Sequence, residues 1–369
     1  MTFKPGDRPL LTFVVCSFNQ ESFVREAVAA AFAQTYSPLE IILSDDCSED
    51  RTFEIMREMA AAYVGPHQVV LNRNPIRRSI GGHVNKVVEM SHGELIVGAA
   101  GDDVSLPQRT QAVYEAWEWS GRKATSIHSN FIQIDESGQR IEQIFKNKCA
   151  GDSERLAVQE VDPTAFVRTL EPIVFGCTHT FSRRLYKVFG GLPEDVIHED
   201  DVLAFRSILA GKLVYINEPL VKYRLHGGNV YIRNKKRVVD LKSLEQQEDR
   251  LRRNFRNRET MHKTFLLDLE KARSQGLIGN ADFERTVAEA ARRCRRFSLM
   301  GEFLESGFPG KCRILSLLKK EGLDKSESKL LFRRLIPQPL FLRIRLARNY
   351  ADLARNRCGF PGCSTPDRN

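Results

Sequence analysis

A chain of 369 residues with 42% hydrophobic content can bury a real core, which excludes a disordered or fibrous polypeptide. Its formal net charge of +9 is unevenly spread: residues 1–229 carry 24 Lys/Arg against 30 Asp/Glu (net −6), and residues 230–369 carry 32 against 17 (net +15). No run of about 18 apolar residues occurs, so a membrane-spanning protein is not expected.

Lys4 and Arg8 precede an apolar stretch too short for a signal peptide. The eight cysteines, at 16, 47, 149, 177, 294, 312, 358 and 363, form no CxxC pair, so neither a zinc site nor a disulfide framework is readable. The expectation is a cytoplasmic protein, soluble or peripheral on the inner face of a membrane.

Leu10–Cys16 is an unbroken apolar run and predicts a strand buried on both faces. A helix over Phe23–Ala33, a strand over Leu39–Leu43, a helix through Ala62, a short strand over Val69–Leu71, a helix over Gly82–Met90 and a strand over Leu95–Ala99 follow. Right-handed crossovers lay such a βαβαβαβ series down as an open, mostly parallel α/β sheet flanked by helices. Ligands of these sheets sit beyond the carboxyl ends of the strands. Ser17, Phe18 and Asn19 follow the first strand, Asp45 and Asp46 the second, and Asp102 and Asp103 the fourth.

The adjacent Asp102 and Asp103 repel each other in a packed setting, and the usual remedy is a metal ion or a cationic neighbour. Taken alone, an Asp-Asp pair is an ordinary turn feature. From about 125 the texture is less regular: Thr125–Ile134 reads as a strand leading to a turn at 135–138. Asp162-Pro163 opens a helix with Asp as N-cap. His198-Glu199-Asp200-Asp201 opens another, with acids at the favourable end of the helix dipole.

Residues 230–338 read as helical and highly charged, and Leu340–Arg357 as a basic amphipathic helix. That helix suits either packing on the body or an anionic membrane surface. The expected division is 1–229 as one domain, made of halves 1–124 and 125–229, and 230–369 as a basic helical extension.

Five stretches in fixed order, VVCSFNQESFVREAV at 14–28, QTYSPLEIILSDDCSEDRT at 34–52, GELIVGAAGDDVSLP at 93–107, HEDDVLAFRSILAG at 198–211 and EPLVKYRLHGGN at 218–229, together resemble family 2 glycosyltransferases of GT-A fold. The resemblance implies that 1–124 binds nucleotide and 125–229 faces the acceptor. It implies that Phe18 stacks on the nucleotide base, that Asp45 accepts from uracil N3–H, and that Asp102 and Asp103 hold ribose and a divalent ion, Mn²⁺ or Mg²⁺, at a DXD-type motif. Asp200 takes the position of the general base. Glu199, Arg224 and His226 are further candidates for donor or acceptor contacts.

Ala100 departs from the resemblance, standing where the family carries its first acid. It is the one feature that favours a non-catalytic sugar-nucleotide-binding or scaffold protein of the same fold. The basic group Arg73, Arg77, Arg78 and Lys86 offers one or more phosphate contacts. The expected partners are a nucleoside-diphosphate sugar, probed first as a UDP-sugar, and a glycan or lipid-linked acceptor in polysaccharide biosynthesis, with Thr178, His179 and the 140–160 loop shaping the sugar pocket.

A sugar-phosphate nucleotidyltransferase wants a glycine-rich loop after the first strand, and Cys16-Ser17-Phe18-Asn19-Gln20-Glu21 has none. A dinucleotide-dependent oxidoreductase fails because the Gly-x-Gly-x-x-Gly turn is missing. No nucleic-acid reader motif accompanies the basic helices, so nucleic acid is not an expected partner.

Overall fold

The computed structural model describes residues 8–141, 154–170, 173–229, 240–323, 325–336, 340 and 343–344. Most of the expected helix Leu340–Arg357, and residues 142–153 of the expected pocket loop, lie outside that set. The chain divides into two compact units, Met1–Ile232 with Glu259–Cys294, and Arg233–Arg258 with Arg295–Asn369.

The first unit is built on β1 (Leu11–Ser17), β2 (Leu39–Asp45), β3 (Gln68–Arg73), β4 (Leu95–Ala100), β5 (Val104–Ser105), β6 (Ala124–Ile134), β7 (Leu156–Gln159), β8 (Thr180–Ser182) and β9 (Lys212–Arg224). They form one mixed sheet of order β3-β2-β1-β4-β8-β6-β9-β5, with β7 paired to β9. β1 to β4 are mutually parallel, as the crossover pattern predicts. The short β8 runs antiparallel between β4 and β6, and β6 then pairs β9 in parallel.

Both faces of this sheet are covered, and for that reason its strands read as continuous apolar runs. Leu11, Phe13 and Val15 of β1 and Leu39, Ile41 and Leu43 of β2 bury on one side. There they meet α1 (Val24–Phe32), α2 (Thr52–Ala61) and α4 (Arg109–Trp119). Val14, Ile42 and Ile96 bury on the other. That face is closed by α3 (Ile80–Met90), α5 (Pro163–Thr169), α6 (Arg184–Phe189) and α7 (Glu199–Ala210).

Two long helices, α8 (Leu241–Ser274) and α9 (Asn280–Glu305), contribute Met261, Phe265, Leu269, Phe283 and Ala290 to the same core. Arg206 of α7 fixes α8 there by a two-pronged pair with Asp268, at 2.8 and 3.3 Å, both side chains 1% exposed. So residues 259–294 of the expected extension pack with the sheet. Asp162 caps α5 by accepting from the Ala165 amide at 2.7 Å, as its place before Pro163 implies.

The second unit has its own small core. Phe255 of α8, Phe297, Met300 and Phe303 of α9, Ile314, Leu315 and Leu318 of α10 (Phe308–Lys320) and Leu331 of α11 (Lys325–Phe332) bury together. Glu248 and Arg334 pair beside it at 2.8 Å. Among the described residues no helix is long and apolar enough to cross a membrane.

Two buried histidines make the first unit's stability sensitive to acid. Burial lowers the His128 pKa to about 4, and burial, helped by His128 and Arg109, lowers that of His179 to about 3. In the unfolded chain each binds a proton near pH 6.5. Their contribution is therefore complete above that pH and is lost as pH falls from 6.5 toward the folded values, at about 1.4 kcal/mol per pH unit for each histidine. Denaturant midpoints measured between pH 7 and pH 5 are expected to fall accordingly, and the double variant His128→Gln, His179→Gln to flatten the slope.

Candidate active site

The strand order turns back on itself between β1 and β4, and the crevice at their carboxyl ends is where an open sheet binds ligands. One wall is the loop after β1. Asn19 takes a left-handed backbone (φ 50°), which asparagine tolerates, and this aims its amide at Ser48 Oγ (2.9 Å) and its side-chain oxygen at the Glu49 amide (2.9 Å). Gln20 N–H donates to Thr52 Oγ1 at 2.8 Å, so the loops after β1 and β2 are laced together.

Asp45 is the knot of that lacing. It is fully buried, accepts from the Ser48 amide (2.9 Å) and the Ser48 hydroxyl, and lies 3.6 Å from Arg73 Nε. A carboxylate has about four acceptor directions, so a further donor can still be met. Asp46 faces the next loop, accepting from Asn74 Nδ2 (2.7 Å) and the Arg78 amide (2.9 Å), and so builds the wall at 74–78. Arg77 of that loop lies over the Phe18 ring, 3.9 Å from its centroid. Arg73 pairs with Asp45 and Glu54, Arg78 with Glu194 and Lys86 with Glu89. Among the described residues Arg77 alone of the four has no carboxylate partner.

The other wall is the Asp102–Asp103 loop. Gly101 opens it with its amide on the Cys16 carbonyl (2.9 Å), and a Cβ there would fall 1.9 Å from Ser17 Oγ. Only glycine passes so close to β1. Asp103 is buried and accepts from the Arg224 amide at 2.9 Å. Arg224, fully enclosed, donates from Nε to the Asp102 carbonyl (2.9 Å), from Nη1 to the Glu136 carbonyl (3.1 Å) and from Nη2 to Glu26 (3.0 Å). His226 Nε2 meets Asp102 Oδ2 at 2.8 Å, with its ring against Phe23.

Arg224 and His226, expected as possible donor or acceptor contacts, both bond the acidic loop. A second arginine, Arg109, is buried behind it, bonded to Ser105 Oγ (2.8 Å) and the Gly98 carbonyl (2.7 Å). Burial lowers its pKa to about 10, so it stays charged at neutral pH. No motif pointed to Arg109; the signal available was an arginine in the first turn of an otherwise core-facing helix.

Burial, and then the Asp102 charge, push the Asp103 carboxyl well above the usual carboxylate range, against the opposing pull of Arg224 and Arg109. Two hard oxygen donors under such repulsion, with an imidazole alongside, suit a divalent cation of the Mg²⁺ or Mn²⁺ type.

Facing this loop is the short turn Gly176–Thr178, whose Cys177 thiol is raised by burial and by Asp103, Asp102 and Asp200 together. The charges of the Asp102–Asp103 loop and of Asp200 at the start of α7 thus both bear on this one buried thiol. Asp200 accepts from the Gly176 amide (3.2 Å) and the Asp201 amide (2.9 Å). Burial raises Asp200, and burial together with Asp200 raises Glu199 well above its ordinary value. His198, Asp200 and Asp201 offer ligand atoms within 4.8 Å of one another. Thr178 and His179 are both buried: His179 bonds Ser126 Oγ (2.7 Å) and Thr178 the Phe175 carbonyl (3.1 Å).

A switch-point crevice with a paired-acid loop on one side and an acid at a helix start on the other is the arrangement of a GT-A-type sugar-nucleotide transferase. Residues 12–189 match Glycosyl transferase family 2, and the chain is a glycosyltransferase of that family. An uncharacterized glycosyltransferase of Rickettsia prowazekii (strain Madrid E), RP339, is 23% identical over 242 residues, which cover 65% of this chain and 70% of that protein. The uncharacterized glycosyltransferase alr2836 of Nostoc sp. (strain PCC 7120 / SAG 25.82 / UTEX 2576) is 24% identical over 227 residues, 59% of this chain and 66% of that protein. In fold, the crystal structure of S. aureus TarS 1–349 in complex with UDP-GlcNAc superposes with a TM-score of 0.53 at 16% identity, covering 94% of this chain and 91% of that one.

If Arg224 holds the acidic loop, Arg224→Met leaves the Asp102 and Glu136 carbonyls without their donor and Asp103 short of a counter-charge. Chemical denaturation is expected to show a loss of about 3 kcal/mol, the range for breaking one partner of a buried ionic network.

Proposed function

We propose that this glycosyltransferase moves a sugar from a nucleoside-diphosphate donor, a UDP-sugar, to a hydroxyl of a glycan or lipid-linked acceptor in cell-surface polysaccharide biosynthesis, in a single displacement with inversion. The observation that supports the mechanism is that the charges of Asp103, Asp102 and Asp200 all bear on the buried Cys177 thiol, while Asp200 accepts from the neighbouring Gly176 amide at 3.2 Å. The uridine preference follows the family resemblance and the UDP-GlcNAc in the TarS complex.

Phe18 receives the base, which displaces Arg77 from the ring face; Asp45 reads the base N–H through its remaining acceptor capacity. Released from the ring, Arg77 is the cation with no carboxylate to hold it back, and it turns to the diphosphate. Asp102 and Asp103 hold Mn²⁺ or Mg²⁺, which when bound offsets the charge on the departing diphosphate.

Asp200 takes the proton from the acceptor hydroxyl as its oxygen bonds the anomeric carbon and the bond from that carbon to the diphosphate breaks. Gly176 N–H orients this carboxylate, and burial together with the Asp200 charge raises Glu199 more than Asp200, which favours Asp200 as the member of the pair that ionises. Since burial raises Asp200, transfer is lost as pH falls through a value above the ordinary carboxylate range.

Asp200→Asn is expected to lower transfer by about 10²–10⁴-fold and to remove the acid limb of the pH profile, while calorimetric nucleotide binding persists. Loss of nucleotide binding in that variant would assign Asp200 to the donor site and contradict its role as base.

A further inference from the structure

The second unit presents a face that the transferase chemistry does not use. On α10, Arg313, Ser316, Leu317 and Lys320 fall at i, i+3, i+4 and i+7 and are all exposed. On α11, Lys325, Lys329 and Phe332 fall at i, i+4 and i+7, again exposed, and Arg333 follows. The two helices touch at the edge of these rows: Lys319, which lies beside the α10 row and not in it, has its Nζ 5.9 Å from the centre of the Phe332 ring.

The acids near these rows are turned to other work. Glu321 is engaged by Arg295 at 3.4 Å, and Glu327 by Arg296. Among the described residues none of Arg313, Lys319, Lys320, Lys325, Lys329 and Arg333 has a carboxylate within 4.0 Å. The face is therefore cationic with large apolar side chains set among the charges: Leu317 is 38% and Phe332 47% exposed.

We propose that the α10–α11 face docks on an anionic lipid membrane. Lysine and arginine meet acidic headgroups, and Leu317 and Phe332 enter the boundary between headgroups and acyl chains. Charge alone would suit nucleic acid equally well, but a phosphate backbone gives an exposed leucine and phenylalanine nothing to bury against; a bilayer does. This deepens the reading of a lipid-linked acceptor, because the same contact brings the enzyme to the surface that carries such a molecule. Membrane binding needs neither donor nor acceptor, so it stands or falls separately from the proposed reaction.

The full-length chain is sedimented with vesicles of phosphatidylcholine alone and of phosphatidylcholine with phosphatidylglycerol, with no nucleotide present. Binding is expected only to the anionic vesicles. Each basic residue near an anionic surface strengthens binding about fivefold, so the triple variant Lys319→Glu, Lys320→Glu, Arg333→Glu is expected to weaken it by more than about tenfold. The double variant Leu317→Ser, Phe332→Ser is expected to lose the part of the binding that survives high salt. All these positions are exposed, and circular-dichroism melts of the variants are expected to match wild type. Unchanged vesicle binding in the folded triple variant, equal binding to neutral vesicles, or competition by duplex DNA at lower concentration than by anionic vesicles would each overturn the proposal.

Discussion

The burial of two adjacent carboxylates at the β1/β4 turning point is the constraint that the rest of the site answers to. Left to itself, such a pair would swing into solvent. Here Gly101 lets the loop pass against Ser17, and Arg224 holds it by its amide on Asp103 and its Nε on the Asp102 carbonyl, while its Nη groups anchor to the Glu136 carbonyl and Glu26. Arg109 supplies positive charge from behind, and it too is out of water. A buried ionic network of this kind contributes little net stability but fixes one geometry, since every alternative leaves a charge or a carbonyl unpaired.

The second acid arrives from a different part of the chain. Asp200 depends on α7, whose opposite end is anchored through Arg206 to Asp268 of α8 and to the Gly190 and Gly191 carbonyls. That anchor explains why residues 259–294 belong with the sheet. They close the face of the core against which α7 rests. The geometry of the candidate site is therefore a property of segments more than 160 residues apart, from Asp102 to Asp268.

Much of this was legible in the sequence because local rules and tertiary burial agree there. Unbroken apolar runs mark β1, β2 and β4 since helices cover both faces, and Asp162-Pro163 marks a helix start because it supplies cap and backbone together. Polar residues after each strand reach one crevice because parallel topology requires it. What stayed illegible depends on partners distant in sequence. Arg109 reads as an ordinary helix residue until β4 is seen beneath it. Arg224 and His226 read as possible ligand contacts; that Arg224 Nε and His226 Nε2 bond the acidic loop could not be read from residues more than 120 positions away. His179 reads as a pocket residue, but its ring is turned into the core on Ser126, a contact across 53 positions. The short β8, antiparallel between parallel neighbours, carries too few residues to announce a direction.

The proposed mechanism stands on a metal-dependent donor site at Asp102 and Asp103. Calorimetry of UDP and of GDP, each with Mn²⁺ and with EDTA, on wild type and on Asp103→Ala, tests it most directly. The account predicts binding of UDP in preference to GDP, present with Mn²⁺, lost with EDTA and lost in the variant. UDP binding that is indifferent to the metal and retained by Asp103→Ala would contradict it.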